Sequence, residues 1–141
     1  MKSFVIVVKD NEISELGYQQ LVDSYMQYGH YDGIEPHYAV ELDKVDGFTS
    51  GNGLQWNYPW TGEKTDLKTG LIKKAYPTED KRKRISCFLS HWYLWQKCKK
   101  LDEMICILEH DARFIKKLPS DRTFRNSTVS YTHLTLPTTK N

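Results

Sequence analysis

The chain has 141 residues, of which 39% are hydrophobic and 27% are charged. This length and composition fit one compact domain and exclude a disordered polyelectrolyte. The formal net charge is +2, so charge alone gives no reason to expect a nucleic-acid-binding or membrane-surface protein. No apolar run approaches the roughly 18 residues that span a bilayer, and the apolar stretch near the N-terminus is too short for a secretory signal.

The three cysteines, Cys87, Cys98 and Cys106, are odd in number and show no C-x-x-C spacing. This usage disfavours a disulfide framework and a zinc site. It favours three core thiols in a reducing, cytoplasmic setting.

The first predicted elements are a strand, a helix and a second strand. Residues 4–8 form a β-branched and aromatic run that is typical of a strand covered on both faces. A helix follows, with Ser14 as its predicted N-cap and Gly29 as its C-cap. Residues 37–42 predict a second strand, which the Asp46-Gly47 turn closes.

Residues 47–79 are rich in Gly, Asn, Thr, Pro and Trp and predict a long loop without regular structure. Three aromatic residues lie inside it: Trp56, Tyr58 and Trp60. They either pin the loop to the core or form a platform on which a sugar or a base stacks.

The strongest helix pattern covers residues 85–99, where Phe88, Trp92 and Trp95 recur at helical spacing and predict a buried aromatic face. Residues 104–108 then predict a buried central strand. Alternating strands and helices predict an α/β fold with a mostly parallel sheet.

Two carboxylates, Glu109 and Asp111, follow this last strand. Ligands collect at the carboxyl ends of strands in open α/β sheets, and residues two apart in an extended chain point to the same side. The pair therefore predicts a site for Mn²⁺ or Mg²⁺ bridged to substrate phosphates, with a solvated turn or helix cap as the alternative. His110 between them either orients a neighbour or faces solvent.

Two segments resemble the signature of glycosyltransferase family 25, which contains lipooligosaccharide-type and collagen-type sugar transferases. They are Ile85-Ser-Cys-Phe-Leu-Ser-His91, followed by Trp95, and Ile107-Leu-Glu-His-Asp-Ala112, followed by Phe114. The family pattern is roughly I-G-C-x-L-S-H, a Trp, and a hydrophobic strand ending L-E-D-D-A. The first strand and the Val45-Asp-Gly47 segment also lie where similar pieces occur in the family.

The resemblance implies a GT-A-type, Rossmann-like domain that transfers galactose or glucose from a UDP-sugar to a hydroxyl of a glycan or protein-linked acceptor, with inversion and without a nucleic-acid partner. It implies that Glu109 and Asp111 bind the metal and diphosphate. It also implies that Ser90, His91 and His110 contribute to substrate binding, the alternative for Ser90 and His91 being polar groups satisfied within a buried helix.

Three departures from the family pattern stand out. His110 replaces the middle acid, which makes the site less anionic and lowers the expected metal affinity. Ser86 stands where the family often has Gly. Lys83-Arg84 replaces a Gly-Glu pair, which adds positive charge near the helix start but removes a carboxylate.

Residues 129–141 differ from the rest of the chain and resemble translated sequencing-adapter sequence. The predicted organisation is therefore a partial glycosyltransferase domain at 1–128 and a non-native tail at 129–141. The general base is expected further along the natural chain, so a further hypothesis is a fragment that keeps the fold without activity.

The rival function is a nucleic-acid-binding module. It rests on the cationic run 81–84 together with Trp92, Tyr93 and Trp95, because bases stack on exposed aromatic rings. The alternative for the run itself is a solvated charge cluster that leads into the helix.

Overall fold

The structure is a computed structural model that describes residues 1–29, 33–56 and 58–118, so the predicted tail at 129–141 lies outside the described residues. The chain divides into two compact units. We call them the sheet unit, which is Met1–Tyr38 with the chain from Gln96 onward, and the aromatic unit, which is Ala39–Trp95.

In chain order the elements are β1 (Lys2–Val7), α1 (Glu12–Gln27), β2 (Ile34–Tyr38), a 3₁₀ turn (Leu42–Lys44), α2 (Val45–Gly51), β3 (Glu63–Thr65), β4 (Ile72–Lys74), α3 (Lys81–Leu101) and β5 (Ile105–Glu109). The long helix α3 contributes residues to both units. None of the helices in the described ranges combines the length and the apolar character of a membrane-spanning segment.

The sheet unit contains a parallel sheet with strand order β2-β1-β5, which confirms the predicted α/β fold class. The prediction that the last strand is central is wrong for the described residues, because β1 occupies the middle and β5 an edge. Ser3 to Val7 of β1 are all buried, whereas β5 is half-buried and ends at the exposed Glu109. A strand with neighbours on both sides is the one that loses all its solvent exposure.

Helix α1 begins with a different cap from the predicted one. Asn11 is the N-cap, and its Oδ1 accepts a hydrogen bond from the Ser14 N–H at 2.9 Å. Ser14 lies one turn inside, buried, where its Oγ accepts from the Val8 N–H at 2.8 Å and so ties the end of β1 to the helix. At the other end, the C-cap is Tyr28 rather than the predicted Gly29, which follows it in the left-handed conformation with φ 69°.

The second strand lies earlier than predicted, at Ile34–Tyr38 rather than 37–42. Two serine hydroxyls of α3 replace a neighbouring strand beyond this point. The Val40 N–H donates to Ser90 Oγ at 3.1 Å, and Ser86 Oγ donates to the Val40 carbonyl at 2.6 Å. Because both backbone groups of Val40 are bonded to side chains, the strand pattern cannot continue through it.

The predicted loop at 47–79 contains regular structure that the composition concealed. The Asp46-Gly47 pair lies inside α2, and β3 pairs with β4 as an antiparallel hairpin. Asp66 organises the hairpin turn, since its Oδ1 accepts from the N–H groups of Lys68 at 3.0 Å and Thr69 at 3.3 Å. Strands of three residues are too short to produce a recognisable hydrophobic period.

Helix α3 includes the predicted span 85–99 and begins earlier, so the cationic run forms its first turn. The predicted buried face is wrong: Phe88 is 38% and Trp95 49% exposed. The buried positions of α3 are Ser86, Leu89, Ser90 and Leu94. Small hydroxyl-bearing residues occupy that face because the Val40 backbone approaches it closely.

The hydrophobic core of the sheet unit joins β1, α1 and the segment after β5. Its buried members are Val5, Val7, Leu21, Tyr25 and Phe114. The rings of Tyr25 and Phe114 meet edge to face, with centroids 5.5 Å apart. Cys87 lies outside any such core, because its side chain is exposed, which corrects the expectation of three core thiols.

Candidate active site

The predicted metal ligands lie at the carboxyl edge of the parallel sheet. Glu109 is the last residue of β5 and Asp111 follows in a turn; both are exposed. The Ala112 N–H donates to the Glu109 carbonyl at 3.0 Å, so residues 109–112 form a turn, which we call the acidic turn. The assumption of an extended chain through His110 is therefore wrong, and the alternation of strand side chains does not apply across these residues.

His110 is half-buried, and its backbone lies close to Gly17 in the interior of α1. A Cβ added at Gly17 would meet the His110 carbonyl oxygen at 2.8 Å and the His110 Cδ2 at 3.1 Å. Sequence reasoning missed Gly17 as part of the site. A usable signal was present, because glycine is unfavourable inside a helix and such a position usually has a packing reason.

Ser90 is fully buried, and its hydroxyl makes two hydrogen bonds within the aromatic unit. Its Oγ donates to the Ser86 carbonyl at 2.7 Å and accepts from the Val40 N–H. Ser86 and Ser90 together therefore bond both backbone groups of Val40.

His91 is half-buried on the next position of α3. Its Nδ1 lies 3.0 Å from the Cys87 carbonyl oxygen. Since a carbonyl only accepts hydrogen bonds, this contact is a hydrogen bond when Nδ1 carries a proton. The ring also tilts against Trp95 at a centroid distance of 6.4 Å.

A cluster of aromatic rings surrounds one cation in the aromatic unit. Trp56 and Trp60 stack with centroids 5.0 Å apart and an interplanar angle of 13°. The guanidinium carbon of Arg84 lies 5.6, 5.4, 5.4 and 6.0 Å from four ring centroids. The four rings belong to Trp56, Tyr58, Trp60 and Tyr76. We call these residues, together with Arg84, the aromatic cluster.

The aromatic cluster favours the pinning interpretation of the loop aromatics over a ligand platform. The two indoles use one face each against the other, and Lys81 Nζ lies 5.2 Å from the Trp60 ring. Arg82 is engaged separately, because it pairs with Asp80 at 2.7 Å. Much of the cationic run that the nucleic-acid hypothesis needs therefore contacts the protein's own groups.

The site residues predicted from the sequence belong to different units. Ser90 and His91 lie in the aromatic unit, whereas Glu109, His110 and Asp111 lie in the sheet unit.

In the sheet unit, burial raises the pKa of the Cys106 thiol on β5 above its usual value, which disfavours a reactive thiolate there.

A family model described as glycosyltransferase family 25 (LPS biosynthesis protein) matches residues 56–137, more than half of the chain. The chain belongs to glycosyltransferase family 25. This confirms the family inferred from the segments at 85–91 and 107–112, both of which lie inside the match. The family 25 match runs nine residues into the predicted non-native tail, from 129 to 137, and does not include residues 1–55.

Comparisons with curated proteins and with solved structures gave no significant match. The family match by itself indicates that the general activity of this family 25 chain is glycosyl transfer. The description of the family associates its members with LPS biosynthesis.

Proposed function

We propose that this chain acts in the transfer of a hexose, galactose or glucose, from a UDP-sugar to a hydroxyl of a glycan or protein-linked acceptor. In the proposal the domain is of the GT-A type, the reaction inverts the anomeric carbon, and the protein works in the cytoplasm, which the cysteine usage supports. The observation that carries the proposal is the acidic turn, which puts two exposed carboxylates at the carboxyl edge of a parallel sheet within the family 25 match.

The residues of the acidic turn fit a divalent cation of the Mn²⁺ or Mg²⁺ type. Glu109 and Asp111 supply hard carboxylate oxygens, and their exposure leaves room for water and substrate phosphates as further ligands. When bound, such an ion neutralises the charge that builds on the departing diphosphate. The proposed task of the two carboxylates is to hold it.

Three other residues contribute to substrate binding in this proposal. His91 contributes through its ring, whose Nδ1 lies 3.0 Å from the Cys87 carbonyl oxygen. His110 lies between the two carboxylates in the chain. Ser90 acts indirectly, by holding the Val40 backbone, since both of its hydrogen bonds are made inside the protein.

The decisive experiment measures Mn²⁺ binding to the 141-residue chain in the presence of UDP-galactose or UDP-glucose, by calorimetry or by Mn²⁺ electron paramagnetic resonance. We expect Asp111→Asn to weaken Mn²⁺ binding by at least about tenfold, or about 1.4 kcal/mol. The matched control is Asp102→Asn, which makes the same chemical change at an exposed residue whose left-handed backbone, φ 52°, suits Asn.

Equal Mn²⁺ affinities for the wild type and Asp111→Asn would overturn the metal assignment. A salt titration of single-stranded DNA binding provides the contrast. A steep dependence of affinity on salt would support the nucleic-acid module instead of the transferase.

A further inference from the structure

The acidic turn is held against α1 by two residues that carry no assigned role. We propose that Gly17 and Arg113 are positioning residues, which fix the turn so that Glu109 and Asp111 present their carboxylates to the same cation. The inference rests on the proposed function of that pair and adds the elements that set its geometry.

Gly17 permits the close approach of the turn to the helix. The atom nearest to a Cβ added at Gly17 would be a backbone atom, the His110 carbonyl oxygen, at 2.8 Å. A flexible side chain could rotate away from such a contact, but a backbone carbonyl moves only if the whole turn moves. Since glycine is a poor helix former, its presence inside α1 is explained by this approach.

Arg113 also joins the acidic turn to α1. Its Nη1 donates to the carbonyl oxygens of Ala112 at 2.6 Å, Gly17 at 3.2 Å and His110 at 3.4 Å. Its Nη2 donates to Gln20 Oε1 on α1. One planar guanidinium therefore connects the backbone of the turn to two residues of α1, Gly17 and Gln20, which lie one helical turn apart.

The chain just beyond the turn is anchored to the same helix. The Phe114 N–H donates to Ser24 Oγ at 3.0 Å, and the Phe114 ring is buried against Tyr25. With β5 fixed in the sheet on one side and Phe114 fixed on the other, Gly17 and Arg113 determine where the intervening residues lie. A displacement of His110 would change the positions of Glu109 and Asp111, which flank it in the chain.

The test compares Gly17→Ala with Gly47→Ala in the 141-residue chain. Both glycines are helical, but a Cβ at Gly47 has nothing within 4 Å. We expect Gly17→Ala to lower Mn²⁺ affinity about tenfold, the loss typical of residues that orient metal ligands, and Gly47→Ala to leave it unchanged. In the metal-free protein, Gly17→Ala should also speed amide exchange at Ala112, whose N–H closes the turn.

A second variant keeps the inference testable if Gly17→Ala does not fold. Arg113→Lys retains the charge but not the forked arrangement of donors. We expect it to lower Mn²⁺ affinity and to speed amide exchange at Ala112, while the midpoint of thermal unfolding changes little. Arg82→Lys is its control, because Arg82 is exposed and its guanidinium bonds to the neighbouring Asp80 rather than to the acidic turn.

The outcomes separate this inference from the proposed function. If Asp111→Asn loses Mn²⁺ binding while Gly17→Ala and Arg113→Lys bind and exchange like the wild type, the positioning role is overturned and the metal site stands. If Asp111→Asn itself binds normally, the metal site is overturned and this inference fails with it.

Discussion

The two units of this protein are stabilised in different ways. The sheet unit has a buried core in which β1 is covered along almost its whole length, from Ser3 to Val7. Among the described residues of the aromatic unit, the fully buried apolar side chains are Val45, Leu89 and Leu94. Its aromatic rings contact one another and the cation of Arg84.

This difference shows what each kind of sequence pattern reveals. The buried aliphatic residues of a core recur with the period of the strand or helix that carries them, so the sequence predicts which residues are buried. A cation surrounded by rings has no such period, because Trp56, Tyr76 and Arg84 come from separate stretches of chain. The comparison can be tested by removing one central residue from each unit.

The largest effect is expected in the sheet unit. Leu21→Ala removes a side chain that is 0% exposed, and should lower the free energy of unfolding by about 2–5 kcal/mol because a cavity remains. Urea denaturation followed by far-ultraviolet circular dichroism measures it. Leu16→Ala on the same helix is the control, since Leu16 is 60% exposed and should change stability by less than about 0.5 kcal/mol. Similar losses for both would contradict the core described above.

A smaller effect is expected from Arg84→Ala in the aromatic unit. Loss of the cation from the aromatic cluster should cost about 1–2 kcal/mol, the range for partly desolvated cation–π contacts. All four tryptophans of the chain belong to this unit, so their emission should shift to longer wavelength.

Lys83→Ala is the matched control for Arg84, since it removes an exposed cation from the same helical turn. A tryptophan emission spectrum that is identical in Arg84→Ala and Lys83→Ala would show that the guanidinium does not organise the rings.

The smallest effect concerns the hairpin turn of the aromatic unit. The Lys73 ammonium, with the backbone N–H groups of Lys68 and Thr69, lowers the pKa of Asp66 below its usual 3.8. The folded pKa is thus below the unfolded one, so the stabilisation is present above about pH 3.8 and is lost as pH falls through the folded pKa.

A carboxyl-detected NMR titration of Asp66 should therefore give a midpoint below 3.8. Lys73→Met should raise this midpoint without restoring it fully, because the two amide donors remain. A midpoint unaffected by Lys73→Met would contradict the contribution of the ammonium group.

Prediction from the sequence succeeded where local pattern and burial agree. The strand at β1, the helix α3 and the strand at β5 were located within a few residues, and the parallel α/β fold class was confirmed. It failed where a side chain bonds to distant backbone. The hydroxyls of Ser86 and Ser90 end the second strand at Tyr38, and they bond to Val40 across more than 40 positions of sequence.

The candidate site divides in the same manner. The position of Glu109 and Asp111 at the sheet edge could be predicted, because both residues come directly after a predicted strand of a parallel sheet. Their binding of a cation stays a prediction. Gly17 carried only a general signal, that of a glycine inside a helix, and Arg113 carried none, because both contact each other's element about 90 positions away along the chain.

The sequence by itself determined the family, the first strand and helix, the order of α3 and β5, and the position of two carboxylates directly after β5. Residue type, spacing and hydrophobic period encode these features locally. Only the tertiary structure decided which face of α3 is buried, that β1 rather than β5 is central among the described strands, and that the chain turns at His110. These features depend on contacts between backbone groups and aromatic rings that are far apart in the sequence, and no local sequence pattern predicts such contacts.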